Sequence, residues 1–287
     1  MVEMVSDRQQ TLASKVEITG TGIHSGKAAR VRLLPAPANH GVRVRRVDLD
    51  GAPEISVTPD ALESGVRCTA LCDGGARIRT VEHLLAACSA LGVDNLRIDI
   101  DAEEMPILDG SAAPWVEALD GAGLKACEEL ARVIDVTRPI LLSLGESCLM
   151  ALPSPTLRLT VASVTSHPVA GSQVFDFDGS PSVFRSALAI ARTFCYLEEV
   201  EALLAAGLAR GGSLDNALVV KPDGYSSPLR IENELAAHKT LDLLGDLAVL
   251  GTRLRCHVVA VRPGHHVNQQ LVKAIWSQYS QVFATSV

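Results

Sequence analysis

Between residues 231 and 250 an otherwise apolar helical stretch carries a polar residue at every fourth position: Glu234, His238, Asp242 and Asp246. At about 100° per residue these four drift slowly round the helix and form one continuous stripe. Leu235, Leu241, Leu244, Leu247 and Leu250 cover the remaining surface. Burying three carboxylates and an imidazole without partners costs several kcal/mol per charge, so the stripe needs compensation. A metal ion is one way to provide it, because histidine and aspartate at i and i+4 match ligand spacing on a helix. A partly solvated polar face is the other, and the pair alone does not choose between them. A third ligand has to come from elsewhere in the chain.

At 287 residues, 47% of them hydrophobic, the chain is long enough for two domains of ordinary size. Only 3% of residues are aromatic, so the cores must be built from Leu, Val, Ile and Ala, and base-stacking platforms are not expected. A formal charge of -7 argues further against a nucleic-acid partner. No apolar run reaches the roughly 18 residues needed to span a bilayer, and the first residues lack the apolar core of a signal peptide. A soluble, intracellular protein is expected. Its seven cysteines are odd in number and scattered, which reads as reduced thiols. Cys68 and Cys72 form a single C-x-x-x-C, weak evidence for structural zinc without a second pair.

Along the chain, residues 15–50 alternate and are broken by glycine and proline, the pattern of short half-exposed strands. Gly20-Thr-Gly-Ile-His24-Ser-Gly26 reads as a glycine-rich hairpin; holding backbone amides against a ligand is the alternative, with His24 as a candidate. A helix is predicted over residues 81–91, with Thr80 as N-cap and Gly92 as its stop. Glu82 and His83 fall in its first turn. They either set an imidazole on a metal with a carboxylate beside its water, or lie in solvent. A strand over 95–101 and a helix from Pro114 to Leu119 follow, and a glycine and charge cluster at 121–129 divides the chain into residues 1–128 and 129–287.

The second half begins again with strands, at 132–136, 140–144, 148–152 and 157–162. It then repeats the order of strands followed by a histidine-bearing helix, without any residue-level repeat. Helices are predicted over 182–191 and 197–206, separated by the polar and aromatic break Arg192-Thr193-Phe194-Cys195. After the striped helix come a strand at 256–261 containing His257, then Gly264-His265-His266, then a last helix ending near Phe283. His265 opens that helix at a loop edge, where chemistry tends to sit.

Taken together, Thr80-Val-Glu82-His83-Leu-Leu-Ala-Ala, Leu108-Asp109-Gly110-Ser111, Ala191-Arg192-Thr193-Phe194, His238-Lys239-x-x-Asp242-x-x-Gly245-Asp246 and Gly264-His265-x-x-Asn268 resemble the UDP-3-O-acyl-N-acetylglucosamine deacetylases. These zinc amidases begin committed lipid A synthesis in the cytoplasm of Gram-negative bacteria. The resemblance runs from about Thr11 to the C-terminal helix. It implies an α+β fold of two similar domains, each a sheet layered against helices, with the active site between the helix layers. It also implies Zn2+ on His83, His238 and Asp242, which leaves a fourth position open for water. Glu82 is then the general base, Thr193 the oxyanion partner, and His265, oriented by Asp246, a protonated histidine. Lys239 matches a contact to the substrate's diphosphate, Phe194 a sugar or nucleotide contact, and Cys68 and Thr69 further substrate contacts. An acyl-chain insert near 195–222 includes Gly212.

The expected partner is an acylated UDP-sugar. Transient contact with a membrane surface and a monomeric state are expected. Three departures bear on substrate handling: Arg138 stands only loosely for a lysine of the family's second-domain strand, Asn233 replaces an acid, and the chain stops at Val287. Two competing readings are a non-catalytic relative that holds an acyl-nucleotide sugar, and a zinc amidase of another N-acetyl substrate. The first would be expected to have lost Glu82 or a zinc ligand, and this chain has lost neither.

Overall fold

The computed structural model describes residues 6–63 and 65–279. Its frame is a pair of five-stranded mixed sheets with one strand order. The first runs Val16–Thr21, Ala28–Pro35, Leu96–Ile100, Val42–Arg46, Glu54–Ser56; the second runs Ile140–Leu144, Ser147–Leu152, His257–Val261, Arg158–Ser163, Gln173–Phe177. In each sheet the middle strand is the last in the chain and lies antiparallel to one neighbour and parallel to the other. A parallel neighbour requires a crossover, and a helix fills it. The helices in chain order are α1 (Glu82–Leu91), α2 (Ala113–Ala122), α3 (Pro181–Val183), α4 (Val200–Ala205), α5 (Glu234–Ala248) and α6 (His265–Tyr279). Helix α1 leads into the first middle strand, and α5 leads into the second by way of the short strand Arg253–Arg255, while α2 and α6 follow them.

The sequence explains these elements locally. Ala28–Pro35 alternates exposed and buried through its first six residues, as a strand with one face on a core does. Every residue of α1 except Ser89 is buried, so its apolar surface runs all the way round. It stops at Gly92, whose φ of 74° lets its N–H return to the Cys88 carbonyl. Helix α1 packs on α5, and a single apolar cluster joins both sheets to α1, α2, α5 and α6 through Leu33, Leu84, Leu119, Leu149, Leu241 and Leu271. Each such buried leucine contributes about 1.5–3 kcal/mol. The α+β expectation, with two similar halves and helices between them, holds.

Several local expectations change. Thr80 is not the N-cap of α1: its φ is 59° and its hydroxyl donates to Glu104 Oε1 at 3.3 Å, two residues before the helix begins. The glycine and charge cluster read at 121–129 runs into a strand, Leu124–Leu130, paired antiparallel with Arg8–Leu12. Both strands are rich in polar residues and do not alternate, which hid them from a periodicity argument. Residues 182–191 form short α3 and then a wider turn, in which Ala189 N–H bonds the Phe184 carbonyl at 2.7 Å, a geometry often found beside functional sites. The expected end of the last helix near Phe283 lies outside the described residues.

Within the second half, Phe194–Tyr196, α4, Leu218–Lys221 and Gly224–Tyr225 make a small three-stranded subdomain with its own apolar cluster. No helix among the described residues is long and apolar enough to cross a membrane.

Candidate metal centre and catalytic cleft

The close packing of α1 on α5 brings the first turn of one helix against the polar stripe of the other. Among the described residues, His83, His238 and Asp242 form a cluster whose ligand atoms lie within 4.8 Å of one another. His238 Nε2 is 3.3 Å and His83 Nε2 3.9 Å from Asp242 Oδ1, and the two imidazoles meet edge to face at 5.1 Å. All three residues are buried. His238 Nδ1 is 3.0 Å from the Ala191 carbonyl, to which it donates as Nδ1–H, so its Nε2 lone pair faces the cluster. Burial, reinforced by the neighbouring His238, depresses His83 to about 3, and burial lowers His238 as well. Burial works against the Asp242 carboxylate, yet Lys239 and the surrounding histidines hold it well below the usual range. Two neutral imidazoles and one carboxylate, all aimed at one point, are the donor set a divalent metal requires.

Beside this cluster lies a set of proton-handling groups. Burial pushes Glu82 up to about 7 against the pull of His265, with Asp242 and Asp246 adding to the rise. His265 Nδ1 lies 3.0 Å from Asp246 Oδ2, while its Nε2 lies 3.8 Å from Glu82 Oε1. Burial alone would lower His265; the charge and hydrogen bond of Asp246, helped by Asp242 and Glu82, carry it up to about 10 instead. The stripe thus divides its work: Asp242 faces the imidazole pair, Asp246 faces His265, and Glu234 turns to Arg192.

That last pairing was not foreseen from the sequence. Arg192 meets both Glu234 oxygens at 2.8 and 3.0 Å, and its own amide donates to Glu234 Oε1 at 3.0 Å. The Glu234 side chain is fully buried and the Arg192 side chain 8% exposed. The pair pins the loop that presents the Ala191 carbonyl to His238 and Thr193 to the cleft. Thr193 is held from both sides, its N–H on the Gly110 carbonyl at 2.7 Å and its carbonyl taking the Leu218 N–H at 2.8 Å.

A cavity of about 740 Å³ opens above these groups. Glu82, His83, Asp242, His265, Thr193, Phe194, Lys239 and Gly212 all reach it. One side is apolar, with Val200, Leu203 and Leu204 from α4 and Leu214 and Val219 from the subdomain; Arg67, Lys239 and Arg262 bring positive charge to the lining. Lys239 is not a free cation: its Nζ bonds Asp242 Oδ2 at 2.9 Å and stands 5.4 Å above the Phe194 ring. Cys68 and Thr69, read as substrate contacts, have no exposed surface. Burial raises the Cys68 thiol to about 11, and Thr69 turns to Glu82 and Asp246 instead of the cavity. Arg138 is not among the residues that line it, and its amide donates to the Tyr279 hydroxyl at 3.1 Å.

The family model described as UDP-3-O-acyl N-acetylglycosamine deacetylase matches residues 9–277. A protein named UDP-3-O-acyl-N-acetylglucosamine deacetylase from Thermosynechococcus vestitus is 42% identical over 276 residues, covering 96% of each chain. Proteins of the same name from Anaeromyxobacter sp. and Leptospira biflexa are 39% and 40% identical, covering 93% and 94% of this chain and 88% and 90% of theirs.

Proposed function

The chain belongs to the UDP-3-O-acyl-N-acetylglucosamine deacetylase family, and we propose that its cleft hydrolyses the acetamide of UDP-3-O-(3-hydroxyacyl)-N-acetylglucosamine, releasing acetate in the committed step of lipid A biosynthesis. One observation carries the reading: a His-His-Asp cluster lies beside the Glu82 and His265 pair beneath a cavity that is apolar on one side and bears cations. The metal is zinc by family. When held by His83, His238 and Asp242, it would supply Lewis acidity, acidifying water and polarising the amide carbonyl.

The chain's own groups then have distinct tasks. Glu82 Oε2 accepts the Thr69 amide at 3.0 Å, which leaves Oε1 to take the proton from the attacking water. The Thr193 hydroxyl donates to the oxygen that gains charge; a single donor of this kind contributes about 2.7–4 kcal/mol. His265, kept protonated by Asp246, directs Nε2–H at the same space, where it balances that charge and protonates the departing amine. The apolar wall of α4 and the subdomain takes the acyl chain. Of the cations that line the cavity, Lys239 and Arg262 take the diphosphate, and Phe194 the sugar or nucleotide.

Residues 1–128 and 129–287 act as the two functional halves on this reading, in a cytoplasmic monomer that touches a membrane surface only while collecting its amphiphilic substrate.

Acetate release by purified protein from the acylated UDP-sugar tests the proposal, measured before chelation, after it, and after zinc is returned. Activity should vanish with the chelator and return with zinc. A zinc-loaded protein that binds the nucleotide sugar but releases no acetate at any acyl length would overturn it.

A further inference from the structure

Thr69 sits in the loop ahead of the strand Ala70–Asp73 and has no exposed surface. Its two polar hydrogens go to two different carboxylates. The amide N–H donates to Glu82 Oε2 at 3.0 Å, and the hydroxyl donates to Asp246 Oδ1. The same hydroxyl oxygen lies 3.3 Å from His265 Nδ1. With the 3.8 Å approach of His265 Nε2 to Glu82 Oε1, four residues close a ring: Glu82, Thr69, Asp246 and His265. Asn268 Nδ2 supports that ring from outside, donating to Asp246 Oδ2 at 2.8 Å.

A buried threonine hydroxyl needs only one acceptor, and a main-chain carbonyl of its own element usually provides it. Thr240 does this, donating to the Ala236 carbonyl four residues back at 2.8 Å. Thr69 reaches 177 residues along the chain, to the carboxylate that orients a catalytic histidine. Each of its bonds selects one oxygen. By occupying Glu82 Oε2 it leaves Oε1 free on the cavity side. By occupying Asp246 Oδ1 it leaves Oδ2 as the closer partner of His265 Nδ1, which fixes the ring plane and aims Nε2 at Glu82 Oε1.

We propose, on the basis of the deacetylase reading, that Thr69 is a positioning residue. Through one amide and one hydroxyl it sets the orientation of the proton acceptor Glu82 relative to the proton donor His265, and it locks the two halves of the chain in register at the reaction centre.

The test compares zinc-loaded Thr69→Val, which removes the hydroxyl and keeps the shape and the amide, with Thr69→Ser, which keeps both hydrogens. Thr69→Val should lower kcat by about tenfold or more, since small misplacements of reacting groups carry penalties of that order. KM and zinc affinity, the latter read by competition with a chromophoric chelator, should stay within about twofold. Thr69→Ser should retain most of kcat. The inference is overturned if Thr69→Val turns over like the parent, if the serine variant falls as far as the valine one, or if the loss appears in KM. Should Thr69→Val fail to fold, Thr69→Ala against Thr69→Ser decides the same question, and an alanine variant as active as serine overturns it. A parent protein that releases no acetate counts instead against the deacetylase reading.

Discussion

The two halves of the chain share one strand order, yet they equip the cleft unequally. The first contributes the opening turn of α1 with Glu82 and His83, the Thr69 loop ahead of it with Arg67, and a few wall residues, Ile23, His24 and Ile107. The second contributes the full length of α5, the start of α6 and the small subdomain whose α4 walls the cavity. Neither half holds a complete ligand set, because His83 comes from one and His238 and Asp242 from the other. A repeated scaffold therefore builds its reactive site at the seam, where α1 meets α5. Chemistry depends on the register of two helices that the chain makes separately.

The largest effect expected from breaking this division of labour falls on the first half. Glu82→Gln keeps the volume and an acceptor for the Thr69 amide but removes the carboxylate proposed as the base. It should lower kcat by about 10²–10⁴-fold while zinc content, read by elemental analysis, stays at the parental level. His83→Ala should instead release the metal. A Gln variant that keeps most of its activity would reduce the first half to a ligand donor.

In the second half the corresponding vulnerability is structural. Arg192→Met strands the Glu234 carboxylate in the core, and removing one partner of a buried pair costs about 3–5 kcal/mol, measurable by urea unfolding. Burial opposes the Glu234 charge, but Arg192 and the amides of Arg230 and Arg192 hold its pKa below the ordinary 4.5. A depressed carboxylate contributes its stability above that value and loses it as pH falls through the native one. Parent and variant should therefore differ fully at neutral pH and converge in acid. A difference that persists at low pH would mean that Arg192 acts through packing instead.

The pH dependence of turnover reports on both halves together. In the proposed roles, Glu82, raised to about 7, loses its proton to act, so the rate should climb through its ionisation; His265, raised to about 10, keeps its proton, so the rate should fall through its own. A divalent metal held by His83, His238 and Asp242 would draw both limbs lower by its charge. Asp246→Asn removes the main support of the His265 proton and should move the alkaline limb down, with a smaller downward shift of the acid limb because Asp246 also helps raise Glu82. A profile of kcat/KM that loses the acid limb instead would reverse the two assignments.

Glycine substitutions compare the halves on smaller terms. At Gly245, on α5, an added Cβ would overlap the carbonyl of Glu82, backbone that cannot step aside. Gly245→Ala should cost about 1–3 kcal/mol by overpacking and lower kcat as well, by pushing α1 off the seam. The same change at Gly121 in α2 meets no atom within 4 Å and should stabilise the protein by about 0.4–1 kcal/mol. Differential scanning calorimetry separates the two signs, and equal signs would mean that the helices have slack at the seam.

What could be foreseen from the sequence follows the reach of each signal. The stripe on α5 was legible because its residues recur every four positions, and the Glu82-His83 pair because it opens an apolar helix. Thr69, Arg192 and Glu234 gave no such sign as partners: they act through bonds between loop and helix that span 13, 42 and 177 residues. The backbone hides a further layer. Arg67, Thr80, Leu108, Asn233 and Arg262 all have positive φ, each within a few residues of a cleft residue. Apart from Asn233, none is a residue type that announces the left-handed region, and Thr80 is β-branched. Conformational strain of this kind is enforced by surrounding packing, so it leaves no local trace.

The smallest expected effect lies at the outer link between the halves. Arg67 binds Glu199 with two bonds, at 2.7 and 3.2 Å, and joins the first half to the subdomain just ahead of α4, none of whose residues is fully buried. Their side chains are 43% and 33% exposed, so water screens the pair and its contribution should stay below about 1 kcal/mol. Arg67→Gln should therefore leave the urea midpoint almost unchanged, raise KM modestly by loosening the apolar wall, and abolish a mild dependence of KM on salt. The buried Arg192–Glu234 pair should show no such salt response, because ions do not reach it. If Arg67→Gln destabilised the fold as much as Arg192→Met, the exposed link would be carrying the second half's architecture. The contrast between a rigid seam and a lightly tethered wall would then fail.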